Sequence, residues 1–308
     1  DRWQTVGNSR CPRGGLPRCA ARATARSPPG RSPRPIPRFA LVALFCLAAL
    51  AGSVAVAADR PARVACTTVA DAATGAVIVR DGACAERFPP MSSFKLPLAV
   101  MGFDSGILTS PTEPVWTVRP ELRPSKRELA FPTVDPLTWE RESIVWFSQE
   151  LTTRLGMTAF ADYVTRFDYG NGDLSGDPGR DDGLTRAWLS SSLRISADEQ
   201  VRFLLKLVRR ELPVSERAVD LTKRTIPTFD ATGGWVVHGK TGSGFPVGTS
   251  GAVDRSRPLG WFVGWAEKDG RTLVFATVEV GVADSVMTAG RAARDSLLGR
   301  WPALVAGR

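Results

Sequence analysis

Residues 90–103 read P-M-S-S-F-K-L-P-L-A-V-M-G-F. A proline and two serines ahead of an apolar run place Ser92 at a helix N-terminus, where free backbone N–H groups favour negative charge on its hydroxyl. Lys95 lies about one helical turn further along the same face, within reach of the Ser92 oxygen. A serine needs a neighbouring base to act as a nucleophile, and a lysine amine is a base only where burial depresses its pKa. The stretch predicts a nucleophile with its base, although a capping serine and a surface lysine have the same spacing.

A second stretch, G-K-T-G-S-G at 239–244, follows the strand-like run G-W-V-V-H. A strand edge can align an amide substrate, and here Lys240 adds positive charge while Thr241 and Ser243 offer hydroxyls to a carboxylate. Gly242 carries no side chain and keeps the approach clear. The K-T-G triplet accompanies S-x-x-K in serine β-lactamases and penicillin-binding proteins. Ser143, in the run E-S-I-V-W-F-S-Q, lies between the two motifs along the chain.

The pattern of strands and helices indicates the fold class. Strands are predicted over 234–241, 261–266 and 272–280, with the last two joined by the turn K-D-G. A capping box, Ser196 with Glu199, opens a helix, and a final helix runs from about Met287 to Trp301. Because strands lie at both ends with helices between them, we expect an α+β fold: an antiparallel β-sheet flanked by helices, plus a mostly helical region.

The composition excludes several function classes. The chain has 308 residues, a formal net charge of +9 and a single histidine, His238, so multi-histidine zinc sites are excluded and no metal is expected. Nine arginines and one acid fall within residues 1–58, which leaves 31 basic and 30 acidic groups in residues 59–308. That region is almost neutral, so we expect no nucleic-acid partner. His238 has no G-x-S-x-G elbow to partner it and is interpreted as structural.

The N-terminal composition predicts a processed precursor. Residues 1–37 are rich in Arg, Pro, Ser and Gly and are expected to be a disordered extension. The sequence opens on Asp1 rather than Met, which suggests either a fragment or, as we favour, an artefact of start assignment upstream of the true start. Residues 38–58 combine a positive flank, an apolar run and an A-x-A ending, which is typical of a signal peptide, although an uncleaved anchor is the alternative. Residues 59–308 would then form the exported catalytic domain, without stable membrane association after cleavage.

Export would leave two cysteines in the mature chain, Cys66 and Cys84. The run between them reads as a strand, a Thr74-Gly75 turn and a second strand, so a hairpin would bring its two ends together. A disulfide is therefore predicted in an oxidising compartment, with two unpaired thiols as the alternative.

Taken together, these motifs resemble the class D, oxacillinase-type serine β-lactamases. Besides P-M-S-S-F-K and G-K-T-G-S-G, the matches are S-x-V at Ser143, Y-G-N at 169–171, L-S-G-D-P-G at 174–179, W-L-S-S-S-L-R-I-S from Trp188, and G-W-F-V-G-W at 260–265. They occur in the order found in that family and span roughly residues 65–301. The resemblance implies a fold of the serine β-lactamase and penicillin-binding transpeptidase type.

The resemblance also implies catalytic roles. Ser92 would be acylated by the β-lactam carbonyl, and Lys95 would be N-carboxylated by carbon dioxide (or bicarbonate) and act as general base, with no other cofactor. Ser143 would relay a proton to the leaving nitrogen, and Val145 would pack over the modified lysine. Trp188 would donate its indole N–H to the lysine carbamate.

Substrate binding is assigned by the same resemblance. The backbone N–H groups of Ser92 and Ser243 would form an oxyanion hole. An arginine of the last helix, Arg291 or Arg294, with Arg291 favoured, would help to bind the substrate carboxylate. The expected substrate-binding set is Lys240, Thr241, Gly242, Ser243 and Arg291.

Two alternatives share the S-x-x-K and K-T-G motifs: a penicillin-binding cell-wall peptidase or transpeptidase, and a β-lactam-sensing domain that acylates without turnover. The sensor is disfavoured because such receptors carry an H-E-x-x-H metalloprotease, and this motif is absent from the sequence. We expect the protein to act on small-molecule β-lactams in the periplasm of a Gram-negative bacterium, as a monomer or a homodimer.

Overall fold

Strands from the two ends of the chain lie side by side in one sheet. The computed structural model describes residues 63–248 and 250–306, so the expected extension (1–37) and signal peptide (38–58) lie outside the described residues. The strands are β1 (Val64–Asp71), β2 (Val77–Gly82), β3 (Trp116–Thr117), β4 (Thr133–Val134), β5 (Thr228–Ala231), β6 (Trp235–Gly244), β7 (Leu259–Lys268) and β8 (Arg271–Val280). Six of them form an antiparallel sheet in the order β2-β1-β8-β7-β6-β5, while β3 pairs with β4.

The helices come mainly from the middle of the chain. They are α1 (Lys95–Asp104), α2 (Pro136–Glu142), α3 (Val145–Arg166), α4 (Gly183–Arg186), α5 (Ala197–Val208), α6 (Glu216–Thr225) and α7 (Val286–Val305). Short 3₁₀ turns occupy Met91–Phe94, Pro120–Leu122 and Glu128–Ala130. The predicted capping box at the start of α5 is present, with the Ser196 side chain accepting from the Glu199 backbone N–H.

The alternation of side chains along β7 shows how the sheet divides the core. Trp261, Val263 and Trp265 belong to the large apolar cluster shared with the central helices. Phe262 and Ala266 point to the opposite face and pack in a second cluster with residues of α7. Because successive strand residues face opposite sides, one strand serves both cores. The predicted α+β class is confirmed, with an antiparallel sheet between α7 and a mostly helical region.

Strand β6 is longer than the sequence pattern indicated. A strand over 234–241 was expected, whereas β6 continues to Gly244, which pairs with Leu259 of β7. The glycines of G-K-T-G-S-G have low strand propensity, but the neighbouring strand supplies backbone partners along the whole segment. The K-T-G triplet therefore lies within a strand rather than after one.

The predicted hairpin and its disulfide are also confirmed. β1 and β2 pair antiparallel, with Cys66 opposite Gly82. Cys66 and Cys84 are disulfide-bonded, and their Cα atoms lie 5.1 Å apart. Both cysteines are buried, so the cross-link ties the edge hairpin to the large core cluster.

Two structural features are absent from the described residues. Between residues 63 and 306, apart from position 249, no helix is long and apolar enough to cross a membrane. The same part of the chain contains no group of three or more His, Cys, Asp or Glu side chains arranged to hold a metal ion.

The disulfide should contribute measurably to stability. Reduction of Cys66–Cys84 is expected to lower the free energy of unfolding by roughly 3 kcal/mol, because opening this loop restores chain entropy to the unfolded state. Urea unfolding with and without reductant measures the difference. The double variant Cys66→Ser/Cys84→Ser is the control and should not respond to reductant. Two freely alkylatable thiols in native, unreduced protein would contradict the assignment.

Candidate active site

Ser92 and Lys95 lie together where a 3₁₀ turn runs into α1. Ser92 belongs to the turn and is half-buried, whereas Lys95 is the first residue of the helix and is 0% exposed. The Lys95 Nζ donates a hydrogen bond of 3.3 Å to the Ser92 Oγ. The structure thus places a buried amine directly behind a serine that solvent can reach.

Burial changes the acidity of this amine. Loss of hydration lowers the pKa of Lys95 to about 7, and the positive charge of Lys240 adds to the lowering, while Glu140 and Glu128 oppose it. A lowering from 10.5 to about 7 corresponds to about 5 kcal/mol of destabilisation of the ammonium form. Near neutral pH, a large fraction of Lys95 is therefore the free amine, the form that can act as a base or nucleophile.

Trp188 contributes to the apolar surroundings of this region. Its ring is fully buried and stacks on Phe94, the neighbour of Lys95, with centroids 5.5 Å apart. Its backbone carbonyl accepts a hydrogen bond of 3.0 Å from the N–H of Met91 in the serine-bearing turn. The Trp188 Nε1 is buried, yet it has no hydrogen-bond partner among the described residues. A buried indole N–H without an acceptor is costly, so this donor is available for a further polar group.

Ser143 meets Lys240 although 97 positions separate them in the chain. Ser143 lies between α2 and α3 in a left-handed backbone conformation, with φ of 57°. Its Oγ accepts a hydrogen bond of 3.0 Å from the Lys240 Nζ, which also donates to the Thr241 carbonyl oxygen at 3.2 Å. Lys240 is only 2% exposed, so both partners hold its amine in one position.

These groups open onto one cavity of about 850 Å³. The residues of the predicted site that line it are Ser92, Ser143, Lys240, Thr241, Ser243 and Arg291. Lys95 and Trp188 are fully buried and are not among the residues that line the cavity. The volume is adequate for a small-molecule ligand.

Two glycines allow the elements around the cavity to approach closely. A β-carbon on Gly242 would lie 2.8 Å from the Pro90 carbonyl oxygen and 3.0 Å from the Ser93 nitrogen. On the other side, the backbone N–H of Gly290 in α7 donates to the Ser243 Oγ at 2.9 Å, and a β-carbon there would lie 2.6 Å from the Gly242 carbonyl oxygen. Strand β6 is therefore held between the serine-bearing turn and α7, as a substrate-binding edge requires.

The two candidate arginines of α7 differ in their contacts. Both line the cavity. The Arg294 Nε donates to Asp295 at 2.8 Å, and its guanidinium lies 5.1 Å from the Phe229 ring centroid. Arg291 is exposed at the cavity rim. The contacts of Arg294 therefore commit part of its guanidinium to protein partners.

Val145 and His238 take different positions from the cavity residues. Val145 is half-buried at the first residue of α3, and its backbone N–H donates to the Glu128 carboxylate. It does not line the 850 Å³ cavity. His238 contacts the Thr228 hydroxyl through Nδ1 at 3.2 Å and stacks on Trp265, so it takes part in strand packing.

Sequence reasoning missed two acidic residues near the lysines. Glu128 is 6% exposed and accepts from the backbone N–H groups of Ser125 and Val145, which keeps the pKa of its carboxyl low despite burial. Glu140 of α2 is 0% exposed, and it is one of the residues that line the cavity. Two acids and an arginine in the run W-E-R-E-S are typical of an exposed helix surface, and the only local signal for Glu140 is its position one turn before Ser143.

Comparisons with known proteins agree with this geometry. The penicillin binding protein transpeptidase domain family matches residues 52–298. The chain is 52% identical over 250 residues to "Beta-lactamase OXA-9" of Klebsiella pneumoniae, covering 81% of this chain and 91% of that protein. It is 36% identical over 236 residues to "Beta-lactamase OXA-1" of Escherichia coli, covering 76% and 82%.

A solved structure gives the same result in three dimensions. The crystal structure of the OXA-427 class D β-lactamase superposes with a TM-score of 0.71 at 41% identity, covering 78% of this chain and 97% of that one. A serine beside a buried lysine, a K-T-G strand edge across the cavity, and relatives matched over most of their length lead to one conclusion. The chain belongs to the class D, OXA-type serine β-lactamases within the penicillin-binding protein transpeptidase fold.

Proposed function

We propose that this class D β-lactamase hydrolyses its substrates through an acyl-enzyme on Ser92, with N-carboxylated Lys95 as the general base for both half-reactions. The observation that carries the proposal is the fully buried Lys95 amine, 3.3 Å from the Ser92 Oγ, with a pKa lowered to about 7. An ordinary surface lysine is almost entirely protonated at neutral pH and cannot serve as a base.

The residues around Lys95 fit the addition of carbon dioxide. The neutral amine, which burial makes accessible, is the form whose nitrogen could attack carbon dioxide, losing one proton as the new nitrogen–carbon bond forms. The buried, unpartnered Trp188 Nε1 and the Ser92 hydroxyl would hold the added group by hydrogen bonds. When bound, carbon dioxide supplies a carboxylate in place of the amine, a base that remains ionised at neutral pH.

In acylation, the Ser92 Oγ forms a bond to the β-lactam carbonyl carbon, and its proton passes to the base at Lys95. The backbone N–H groups of Ser92 and Ser243 are assigned to the developing oxyanion. The carbon–nitrogen bond of the ring then breaks, and the Ser143 hydroxyl donates its proton to the leaving nitrogen. Lys240, hydrogen-bonded to the Ser143 Oγ at 3.0 Å, replaces that proton and is reprotonated from solvent.

Deacylation again uses the base at Lys95 and the Ser92 oxygen, with water as the nucleophile and Ser92 as the leaving group. After the base at Lys95 has returned its proton to solvent, it takes one from a water molecule, whose oxygen bonds to the acyl carbon. The bond to the Ser92 Oγ breaks, Ser92 regains a proton, and the opened product leaves as a carboxylic acid. The Val145 side chain, next to Ser143 and Ile144 in the chain, is assigned to pack over the modified lysine.

The substrate carboxylate is assigned to the edge of β6 and to α7. Lys240 supplies charge, while Thr241 and Ser243 supply hydroxyls. Gly242 allows the strand to approach the serine-bearing turn. Arg291 completes the set, since a guanidinium binds a carboxylate through two parallel hydrogen bonds.

Two observations support a location in the cell, one before the expected start of the mature protein and one after it. The Cys66–Cys84 disulfide fits an oxidising compartment, and residues 38–58 have the composition of a cleaved signal peptide. The OXA-9 and OXA-1 relatives come from Gram-negative bacteria. These features together support a periplasmic location for the enzyme.

Steady-state turnover separates the hydrolase from its two alternatives. Purified protein is expected to hydrolyse many equivalents of a chromogenic cephalosporin, because Lys95 can activate water after acylation. Ser92→Ala should abolish the reaction, and intact-mass spectrometry should detect no adduct on this variant. A stoichiometric burst without further turnover would instead indicate a cell-wall enzyme or a sensor domain.

Activity should depend on carbon dioxide at acidic pH. Below the Lys95 pKa of about 7 the amine is increasingly protonated, so removal of bicarbonate should reduce turnover and its return should restore it. Trp188→Ala should raise the bicarbonate concentration needed for full rate, and Lys95→Ala should leave a trapped acyl-enzyme or no reaction. Carbon-13 NMR with labelled carbon dioxide measures the modification directly. Bicarbonate-independent turnover across pH 5–8 without a carbamate signal would disprove it.

The two arginines of α7 can be distinguished kinetically. Arg291→Ala is expected to raise KM about tenfold or more, as the loss of a charged hydrogen bond worth about 1.5–3 kcal/mol implies. Arg294→Ala is the matched comparison, because this guanidinium contacts Asp295 and Phe229, and its KM should change less than about threefold. The opposite order of effects would assign carboxylate binding to Arg294.

A further inference from the structure

Glu128 is a buried acid that the reaction described above does not use. It opens the 3₁₀ turn Glu128–Ala130, within the β3–β4 segment, residues 118–132, that joins those two strands. Its side chain is almost fully buried and does not line the 850 Å³ cavity. Burying a carboxylate is costly unless hydrogen bonds compensate, so its contacts indicate what it holds in place.

Three hydrogen bonds satisfy this carboxylate. Its Oε2 accepts from the backbone N–H of Ser125 at 2.9 Å and from the Ser125 hydroxyl at 2.7 Å. Its Oε1 accepts from the backbone N–H of Val145, the first residue of α3. Burial would raise the pKa of Glu128, but these hydrogen bonds hold it below the ordinary value. An ionised side chain of the β3–β4 segment is therefore bound to the start of α3.

The contact with Val145 replaces a cap that α3 lacks. The N-cap residue is Ile144, whose apolar side chain accepts no hydrogen bond from the helix. The first N–H groups of a helix have no partner within the helix, and negative charge close to them is stabilising. Glu128 supplies both an acceptor and a negative charge. The start of α3 is thus fixed by a side chain from another segment rather than by its own sequence.

The residue that this contact borders is Ser143. Its backbone has φ of 57°, a left-handed conformation that is uncommon for residues other than glycine. Such a conformation persists only where the surrounding structure holds it. On the other side of the turn, Arg127 donates to Glu142 at 3.1 Å. The adjacent side chains of Arg127 and Glu128 therefore contact the residue before Ser143 and the second residue after it.

We propose that Glu128 is a positioning residue that fixes the turn at Ser143, so that the Ser143 hydroxyl stays in place for proton transfer from Lys240 to the leaving nitrogen. The inference rests on the proton delivery proposed for Ser143 and extends it to a further residue. Glu128 does not contact substrate in this assignment. Its hydrogen bond to Val145 holds the backbone beyond Ser143, while the Lys240 Nζ, 3.0 Å from the Ser143 Oγ, holds the side chain.

A second route from Glu128 to the rate has to be separated from this one. The negative charge of Glu128 also raises the pKa of Lys95, and that effect passes through the base rather than through Ser143. A double-mutant cycle with Ser143 distinguishes the two routes. A residue that acts through Ser143 loses its effect once the Ser143 hydroxyl is gone, whereas an effect through Lys95 persists.

The test measures ring opening of a chromogenic cephalosporin with enzyme in excess, which reports acylation alone. Glu128→Gln keeps the size of the side chain but leaves one oxygen for donors on two sides. Its acylation rate is expected to fall about tenfold, the change that corresponds to loss of one hydrogen bond to a charged group. Because Glu128 does not line the cavity, the Kd of the substrate should change by less than about twofold.

The double variant and a matched control complete the design. In the Ser143→Ala background, Glu128→Gln should change the acylation rate by less than about twofold. Glu128→Ala, which removes all three hydrogen bonds, should show the same dependence on Ser143. Glu150→Gln is the control, because Glu150 is a buried carboxylate that joins Arg119 of the same segment to a later turn of α3. Its acylation rate should stay near the wild-type value, whatever its effect on stability.

The outcomes distinguish failure of this inference from failure of the proposed mechanism. An equal loss of rate from Glu128→Gln in the Ser143→Ala background would show that Glu128 acts through Lys95 or through folding, and would overturn the positioning role. A wild-type acylation rate in Glu128→Gln, or the same loss in Glu150→Gln, would also overturn it. An undiminished rate in Ser143→Ala alone would instead contradict the proton delivery proposed for Ser143, and this inference with it.

Discussion

The desolvated amine of Lys95, held against the Ser92 hydroxyl, is the constraint on which the rest of the site depends. Keeping it out of water costs about 5 kcal/mol in the stability of its charged form, a large share of the 5–15 kcal/mol by which domains are stable. The surrounding fold offsets this cost with apolar burial. All nine residues from Lys95 to Phe103 in α1 are buried, so the helix is surrounded by protein along this length.

The sheet makes this arrangement possible by serving two cores at once. β7 faces α7 with one set of side chains and the central helices with the other. Its neighbour β6 pairs with β7 as far as Gly244, and this pairing positions Lys240 and Thr241 at the cavity. Gly242 and Gly290 remove the side chains that would otherwise hold the strand away from the serine-bearing turn and from α7.

Electrostatics in the site follow from the burial of its charged groups. Lys95, Lys240 and Glu140 are all fully or almost fully buried, so each feels the others far more strongly than it would at the surface. Burial favours neutral amines, whereas the acid favours charged ones. The balance lowers the pKa of Lys95 to about 7 and that of Lys240 to about 8, so both amines titrate closer to neutral pH than a surface lysine does.

Much of this protein was readable from local sequence. The S-x-x-K spacing, the capping box at Ser196, the β1–β2 hairpin with its cysteines and the strands around K-T-G all depend on neighbours within a few residues, and the structure confirms them. Turn chemistry and side-chain periodicity act over that range, which is why they survive in a one-dimensional pattern. The contact between Ser143 and Lys240, the extension of β6 to Gly244 and the burial of Glu140 were decided by packing between distant segments. An acidic residue in W-E-R-E-S has the same letters whether it faces water or the protein interior, and only the folded chain determines which.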